Sequence, residues 1–456
     1  MTATVATQLA GHFCQLDYRR LPAASKTALK RLLLDYLGVA ISGSRTESGA
    51  IARAFARSDG GRAEAQLIGD AVRVPAAQAA FANAISSHSI ELDDADAMSY
   101  FHFSPPVYSA ALAAAEKQGA DGRQLLVAFA AGCEMMERVS KAANPSLRDR
   151  CFHTTAACGV FGAAVAAGKA WQLSPKELVS ALALAGAQAA GLLEFHGPSM
   201  QKRFSPGPAA RGGLTAARLA QLGYTGQDSI FEGERGFLKA YTDKSDASQL
   251  VADLDKPYPL NIDFKPYSCA RPIHNAIDCA FEIRGRDHPD PSAISRIDVA
   301  RHPSWAAKHG EKAPKSFHAA QMSLPYSVAV VLKEGQALPQ QYADRKLSDP
   351  LLVRLMNVTN ITADASLPRG VSSRMTVTMS DGRKFVSQVD YPKGSVEAPM
   401  TDAEIAAKFS TLAVPVVGAR RSAQLVELVN AIEKCDDVRK LMRLTRKAQH
   451  VARGKS

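Results

Sequence analysis

Phe264-Lys-Pro-Tyr-Ser-Cys-Ala-Arg-Pro-Ile-His274 divides this chain into two kinds of sequence. Before it, alanine dominates and apolar residues recur at three- and four-residue spacing, the period of a helix. After it, short stretches alternate apolar with polar, the period of a strand. Working upstream, residues 22–43 predict an amphipathic helix that stops near Gly38–Gly43. Further helices are predicted at 47–57, 76–90, 107–118, 122–143, 154–171, 175–194 and 207–222. Their small side chains allow close approach, so they imply a compact helical body. Downstream, residues 293–300, 356–363 and 371–390 read as strands, the last broken at Ser380-Asp381-Gly382-Arg383. Asp-Gly between alternating runs is a hairpin signal. A helix is expected over 315–334, and helices resume at 402–412 and 420–446.

The expected fold is therefore mostly α: a large all-helical domain with an inserted smaller α+β lid domain. The helical domain takes residues 1–264 and 401–456, and the lid 265–400. At 456 residues, two cores are the natural expectation. A chain that crosses between domains twice suits a hinge with a cleft.

Composition narrows the function classes. With 46% apolar and 22% charged residues this reads as a soluble globular protein. The net charge of +11 fits either a nucleic-acid or membrane partner, or a cation-lined pocket that steers small anions. The densest basic run, Arg439–Lys455, lacks interleaved aromatics and reads as a solvated helix face or tail. Seven cysteines (14, 133, 151, 158, 269, 279, 435) are scattered without C-x-x-C spacing, which argues against a zinc ribbon, an iron–sulfur ligand set or a disulfide framework. Reduced thiols in a cytoplasmic protein are expected. The N-terminus has no basic n-region with an apolar core, so no signal peptide is read there. Val179–Phe195 is too short to span a membrane and is expected to be a buried helix.

The densest polar sequence is Asn83–Tyr108. It holds His88 and His102, the carboxylates Glu91, Asp93, Asp94 and Asp96, and Ser104 before a Pro-Pro helix start. Such a cluster between helical runs either faces water or builds a site. Other segments carry chemistry too. His153 and Thr154 open an Ala/Gly-rich helix, an anion-ready position. Lys202 and Arg203 precede a Pro/Gly-bounded helix start. Lys265, Arg271 and His274 stand at the joint, and Tyr326 follows Ser323-Leu-Pro.

In order along the chain these segments resemble the MmgE/PrpD family. The carrying motifs are H-S-x-E-L-D-D (88–94), H-x-S (102–104), F-H-x-T (152–155), K-R-x-x-x-G-x-A-A (202–210), E-G-x-x-G-F (232–237), K-P-Y-x-C-x-R-x-x-H (265–274) and S-x-P-Y (323–326). The family includes 2-methylcitrate dehydratase of the iron–sulfur-free type, cis-aconitate decarboxylase and iminodisuccinate epimerase. The resemblance implies a homodimer, no metal or organic cofactor, and a small polycarboxylate as substrate. It places His102, His153, Lys202, Lys265 and the carboxylates of Glu91–Asp94 in the cleft, with Tyr326 as an addition. Glu91, Ala95 and Ala270 depart from the decarboxylase branch, which carries Asp, Thr and His there.

The reaction these residue types suit is removal of a proton next to a carboxylate. Lys202 and Lys265, with Arg203 or Arg271, supply positive charge for the enediolate. His102 or His153 serves as base, and Asp93 or Glu91 fixes a ring tautomer or a substrate hydroxyl. Asp94, Ser104, Thr154 and His274 complete the expected binding residues. A dehydratase-like lyase is ranked first, an epimerase second and a decarboxylase third. Two readings compete with this enzyme: a divalent-metal site of His88, Glu91, Asp93, Asp94 and His102, whose spacing matches no specific metal motif, and a basic nucleic-acid binder. Neither a nucleic acid nor a membrane is the expected partner.

Overall fold

The computed structural model describes residues 3–96, 101–195 and 199–448. Residues 97–100 of the polar stretch, 197–198 before Lys202 and 449–455 of the basic run therefore lie outside the described residues. Two buried apolar clusters organise the chain. One draws its side chains from Ala6 through Phe264 and again from Met400 through Met442. The other runs from Cys269 to Val389.

The first cluster is helical. Gly122–Ala143 packs on Gly159–Ala170, which packs in turn on Pro206–Gln221 and Ser104–Gln118. Glycine makes this spacing achievable. A Cβ on Gly132 would stand 2.8 Å from the Gly162 carbonyl oxygen, and one on Gly213 would stand 2.5 Å from that of Val160. Backbones this close leave no room for a larger residue, and they explain why the composition is so small. Asp402–Val417 returns to this body and lies along Ala23–Gly43.

The second cluster covers one face of a four-stranded sheet, order β4-β3-β5-β6, with β3 (Ile294–Arg301), β4 (Thr359–Ala363), β5 (Ser373–Met379) and β6 (Lys384–Val389). β3 pairs parallel with β4 and antiparallel with β5, in the register Val299↔Ile361 and Val299↔Met375. Alternate residues of β5 are buried, as a sheet covered on one face requires. The Ser380–Arg383 turn joins β5 to β6 as its Asp-Gly predicts, with Gly382 at φ +88°. Helices His274–Asp287 and Leu324–Glu334 pack together, and the former covers β5 and β6.

Several sequence expectations need correction. The helix expected over 175–194 stops at Gly186. Gly191 then adopts φ +117°, and Leu192 is 58% exposed. The segment instead pairs its backbone with the loop before His153: His153 N–H donates to Gly191 O and Leu193 N–H to Cys151 O. The 315–334 helix is two pieces, Phe317–Gln321 and Leu324–Glu334, because Ser323 accepts from the Tyr326 N–H and caps the second. Residues 356–357 end a helix, Pro350–Asn357, rather than begin a strand. Helices Val5–Gln15 and His274–Asp287, and a two-stranded pair of β1 (Ala65–Gln66) and β2 (Arg73–Val74), were not anticipated. All seven cysteines are free and five are buried, and no described helix is long and apolar enough to cross a membrane.

Candidate active site

The site is built on a non-helical strip between two helices. Ala76–Ser87 ends at His88, and among the described residues no helix follows until Ser104–Gln118 begins. Within the strip Glu91 sits at φ +54°, a left-handed conformation rarely taken by a non-glycine residue. Anchors hold it from both sides. Ala95 pairs with Asp263 through two backbone hydrogen bonds of 2.9 and 2.8 Å. The Ile90 carbonyl accepts from Ser268 Oγ at 2.6 Å and Gln321 Nε2 at 2.8 Å, both from the second core's part of the chain. The Leu92 carbonyl accepts from Lys408 Nζ at 2.8 Å. Asp94 takes the N-terminus of Ser104–Gln118: it accepts from the backbone N–H of Phe103 and Ser104, at 2.7 and 3.1 Å, and from the Ser104 hydroxyl.

This strip delivers two groups of side chains. The first surrounds Asp93, which is fully buried. His88 Nδ1 lies 2.7 Å from Asp93 Oδ2, and His102 Nδ1 lies 3.1 Å from the same oxygen. His102 Nδ1 is also 2.5 Å from the Asp94 carbonyl. A carbonyl oxygen only accepts, so Nδ1 of His102 carries the proton and Nε2 keeps its lone pair in the neutral ring. Three imidazoles stand in a row, with His88 4.9 Å from His102 and 6.3 Å from His153, ring centre to ring centre. Burial drives His88 down to about 4 against the pull of Asp93. Burial, reinforced by the neighbouring His88 and His102, takes His153 well below its ordinary value. Both rings are neutral near pH 7.

The second group surrounds Glu91. Lys202 Nζ stands 2.5 and 2.7 Å from its two oxygens, Arg203 Nη1 contacts Oε2, and Lys265 Nζ is 3.4 Å from Oε1. Burial alone would raise the Glu91 carboxyl; Lys202, Lys265 and Arg203 outweigh it and hold it well below the usual range. Lys202 responds oppositely. Burial exceeds the attraction of Glu91 and brings its ammonium down to about 8. Arg203 also donates to Gln321 Oε1 at 3.0 Å, joining Glu91 to the helix of the second core. Lys265 links the two groups, 3.8 Å from Asp93 Oδ1.

Several buried polar atoms here have no hydrogen-bond partner among the described residues: His88 Nε2, Asp93 Oδ1, His153 Nδ1 and Thr154 Oγ1. Unsatisfied buried groups are costly, and their concentration beside three cations suits a polar ligand. Of the five donors weighed for a metal, Glu91 and Asp94 have other partners. His88, Asp93 and His102 offer ligand atoms within 4.8 Å of one another, and Nδ1 of each of the two histidines is engaged in a hydrogen bond.

The structure thus brings together His102, His153, Lys202, Arg203, Lys265, Glu91 and Asp93, with Thr154 beside His153. Other predicted site residues have different partners. Tyr326 is a core residue of the sheet-bearing cluster, its hydroxyl donating to the Gln341 carbonyl at 2.7 Å. Arg271 pairs with Asp263 at 2.9 Å and donates to the Lys393 carbonyl, so its charge is spent at the joint. His274 lies against Arg271 and the Cys269 carbonyl. Ser104 and Asp94 satisfy a helix end. The reason is common to all five: a polar side chain takes the nearest backbone group or opposite charge, which spacing along the chain does not reveal. Sequence reading did not single out Lys408, Ser268 or Gln321 as site residues, and only for His88, five residues before Asp93, was there a local signal.

Comparison with known proteins follows the same outline. The family profile described as MmgE/PrpD N-terminal domain matches residues 7–250, and that described as MmgE/PrpD C-terminal domain matches residues 267–434. A cis-aconitate decarboxylase-like protein, oryM, of Aspergillus oryzae is 28% identical over 96% of this chain and 97% of its own. Cis-aconitate decarboxylase of Aspergillus terreus is 28% identical over 83% of each chain, and that of Homo sapiens 27% identical over 90% of this chain and 87% of its own. With both halves matched and the histidine, lysine and carboxylate side chains gathered at one strip, the chain belongs to the MmgE/PrpD family.

Proposed function

We propose that this protein is a carboxylic-acid lyase that removes a proton from the carbon next to a substrate carboxylate, with water elimination as its reaction. The observation that carries the reading is the pairing of a histidine base, oriented through Nδ1, with three cations at the same buried strip. His102 Nε2 takes the carbon-bound proton. The electron pair moves into the adjacent carboxylate as an enediolate, which Lys202 and Lys265 stabilise where little water screens them. Collapse of the enediolate forms the double bond and expels the neighbouring hydroxyl. Lys202, its ammonium brought close to neutrality by burial, supplies the proton that makes the leaving group water. His153 is neutral and acts as a hydrogen-bond partner.

A second reading is decarboxylation, supported by the names of the relatives. There the bond broken is to a carboxylate carbon and carbon dioxide leaves, the electron pair left on carbon is quenched by a proton from His102 in its protonated form, and the remaining carboxylate stays on the lysines. Incubation with a panel of small di- and tricarboxylic acids in deuterated water separates the two: loss of water supports the first, carbon dioxide the second. His102→Ala is expected to lower turnover by ~10²–10⁴-fold with the fold intact by circular dichroism. A His102→Ala/Lys202→Ala double variant with full activity would refute both readings.

A further inference from the structure

Arg53 is a buried cation whose charge is only partly answered. It lies on the helix Glu47–Ser58 and is 8% exposed. Nη2 donates to the Ser44 carbonyl at 2.8 Å, Nη1 reaches the Asp70 carboxylate at 3.3 Å, and Nε has no acceptor among the described residues. Asp70 is shared, because Arg57, one turn further along the helix, lies closer to it at 2.7 Å. Burial, joined by the like charges of Arg45 and Arg57, lowers the Arg53 guanidinium from its ordinary value against the pull of Asp70. A buried cation so placed is costly unless more negative charge comes to it.

These side chains border a recess of about 400 Å³, lined by Arg45, Arg53, Arg57, Lys447, Asp70 and the turn at Gly69. Small-molecule sites span roughly 300–1,000 Å³. Three distant segments build the recess. Gly69, at φ +74°, brings the turn after β1 against Ser44, where a Cβ would stand 2.8 Å from that of Ser44. The Gly69 N–H donates to the Thr445 carbonyl at 3.0 Å, and Arg421 Nη1 to the Arg446 carbonyl at 2.9 Å. These bonds fix the chain on either side of Lys447, so this part of the basic run is more than a solvated tail. Among the lining residues four cations meet a single carboxylate, which leaves three positive charges uncompensated. None of the lining residues belongs to the strip of Glu91 and Asp93.

We infer that this recess is a second anion site, separate from the candidate active site, that takes a phosphate-bearing small molecule. One carboxylate would cancel one of the three charges. A phosphate group carries about −1.5 to −2 near pH 7 on three acceptor oxygens. Guanidinium forks match those oxygens two at a time. Two linked phosphates come closest to the charge left over.

The test measures binding of inorganic pyrophosphate to the full chain by calorimetry. Arg45 and Lys447 are exposed and make no ion pair among the described residues, so Arg45→Gln/Lys447→Gln removes charge without breaking the recess. The wild type is expected to bind one pyrophosphate per chain, and the double variant at least about tenfold more weakly. Lys202→Ala should stay within about threefold of the wild type, because the site is a different one. Absence of saturable binding overturns the inference, as does undiminished binding in the double variant. A loss in Lys202→Ala would place the anion on the catalytic lysines instead, and overturns it too. Displacement of pyrophosphate by an equal concentration of tricarballylate would show a site for any polyanion, against the phosphate assignment. Tighter binding of a single-stranded oligonucleotide, weakened by the same double variant, would make the recess part of a nucleic-acid surface and end the small-molecule reading. Should the double variant not fold, Lys447→Gln alone is measured, with a loss of at least about threefold expected and an unchanged affinity overturning the inference.

Discussion

Lys202 meets opposing demands that its neighbours balance. In the proposed elimination it attracts a carboxylate as an ammonium and releases a proton as an acid. Burial lowers it from 10.5 to about 8 although Glu91 lies within 2.5 Å. The charged form is the one lost as pH rises through that value. kcat/KM is therefore expected to fall on the alkaline side with an apparent midpoint near pH 8, approaching tenfold per unit beyond it. Lys202→Arg keeps its charge to far higher pH. Its activity will be lower, since a guanidinium is a poor acid, but its alkaline decline should move up by at least about one unit. A decline left at pH 8 in that variant would assign the limb to another group.

At the scale of elements, the strip bearing Glu91 and Asp93 is fastened by helices far away in sequence. Lys408, on Asp402–Val417, donates to the Leu92 carbonyl and to Asp35 on Ala23–Gly43, at 2.8 and 2.5 Å. Lys408→Met leaves a buried carboxyl and a buried carbonyl unpaired, so it should cost about 3–5 kcal/mol in chemical denaturation. Asp35→Asn in the same chain should recover part of that loss. The helix Ser104–Gln118 contains a pH-sensitive element of another kind. Burial raises Glu116 from 4.5 to about 7, against the Gln66 N–H and nearby arginines. Its folded pKa lies above its unfolded one, so the stability it contributes is whole below about 4.5 and lost as pH rises through about 7. Glu116→Gln retains an acceptor for Gln66 and escapes that loss. It should stabilise the protein by ~2–3 kcal/mol at pH 8 and by little at pH 4.5, read from melting curves.

Across the whole molecule, both apolar clusters contribute to one site. Ile90 and Leu92 of the strip pack with Val39 and Leu412 of the helical half and with Phe317 of the sheet-bearing half. Lys265 stands between the cores, and Ser268 and Gln321 come from the sheet-bearing half. Arg203, bonded to Glu91 and Gln321 at once, makes the geometry of the cations depend on how the halves fit. The net charge of +11 acts over a longer range. For an anionic substrate it predicts that kcat/KM falls severalfold between about 0.02 and 0.3 M salt while kcat holds, because screening weakens steering but hardly reaches a buried contact. Salt-independent kcat/KM would remove steering from the account.

The amino-acid sequence by itself determined most of the small-residue helices and the Asp-Gly hairpin, because periodicity and turn residues act locally, but not the helices Val5–Gln15 and His274–Asp287 or the end of the helix at Gly186. The motif order also marked His102, His153, Lys202 and Lys265. Only the tertiary structure decided what each polar group does. Arg203 and Arg271 look alike on paper, yet one meets Glu91 and the other Asp263. Asp93 and Asp94 are neighbours, yet one binds imidazoles and the other closes a helix end. Tyr326 follows the family motif into an apolar core. The physical reason is range. Hydrophobic period is set by residues three or four apart, whereas charge and hydrogen bonding are satisfied by whatever lies within about 3 Å in space, which for Glu91 means residues more than a hundred positions away.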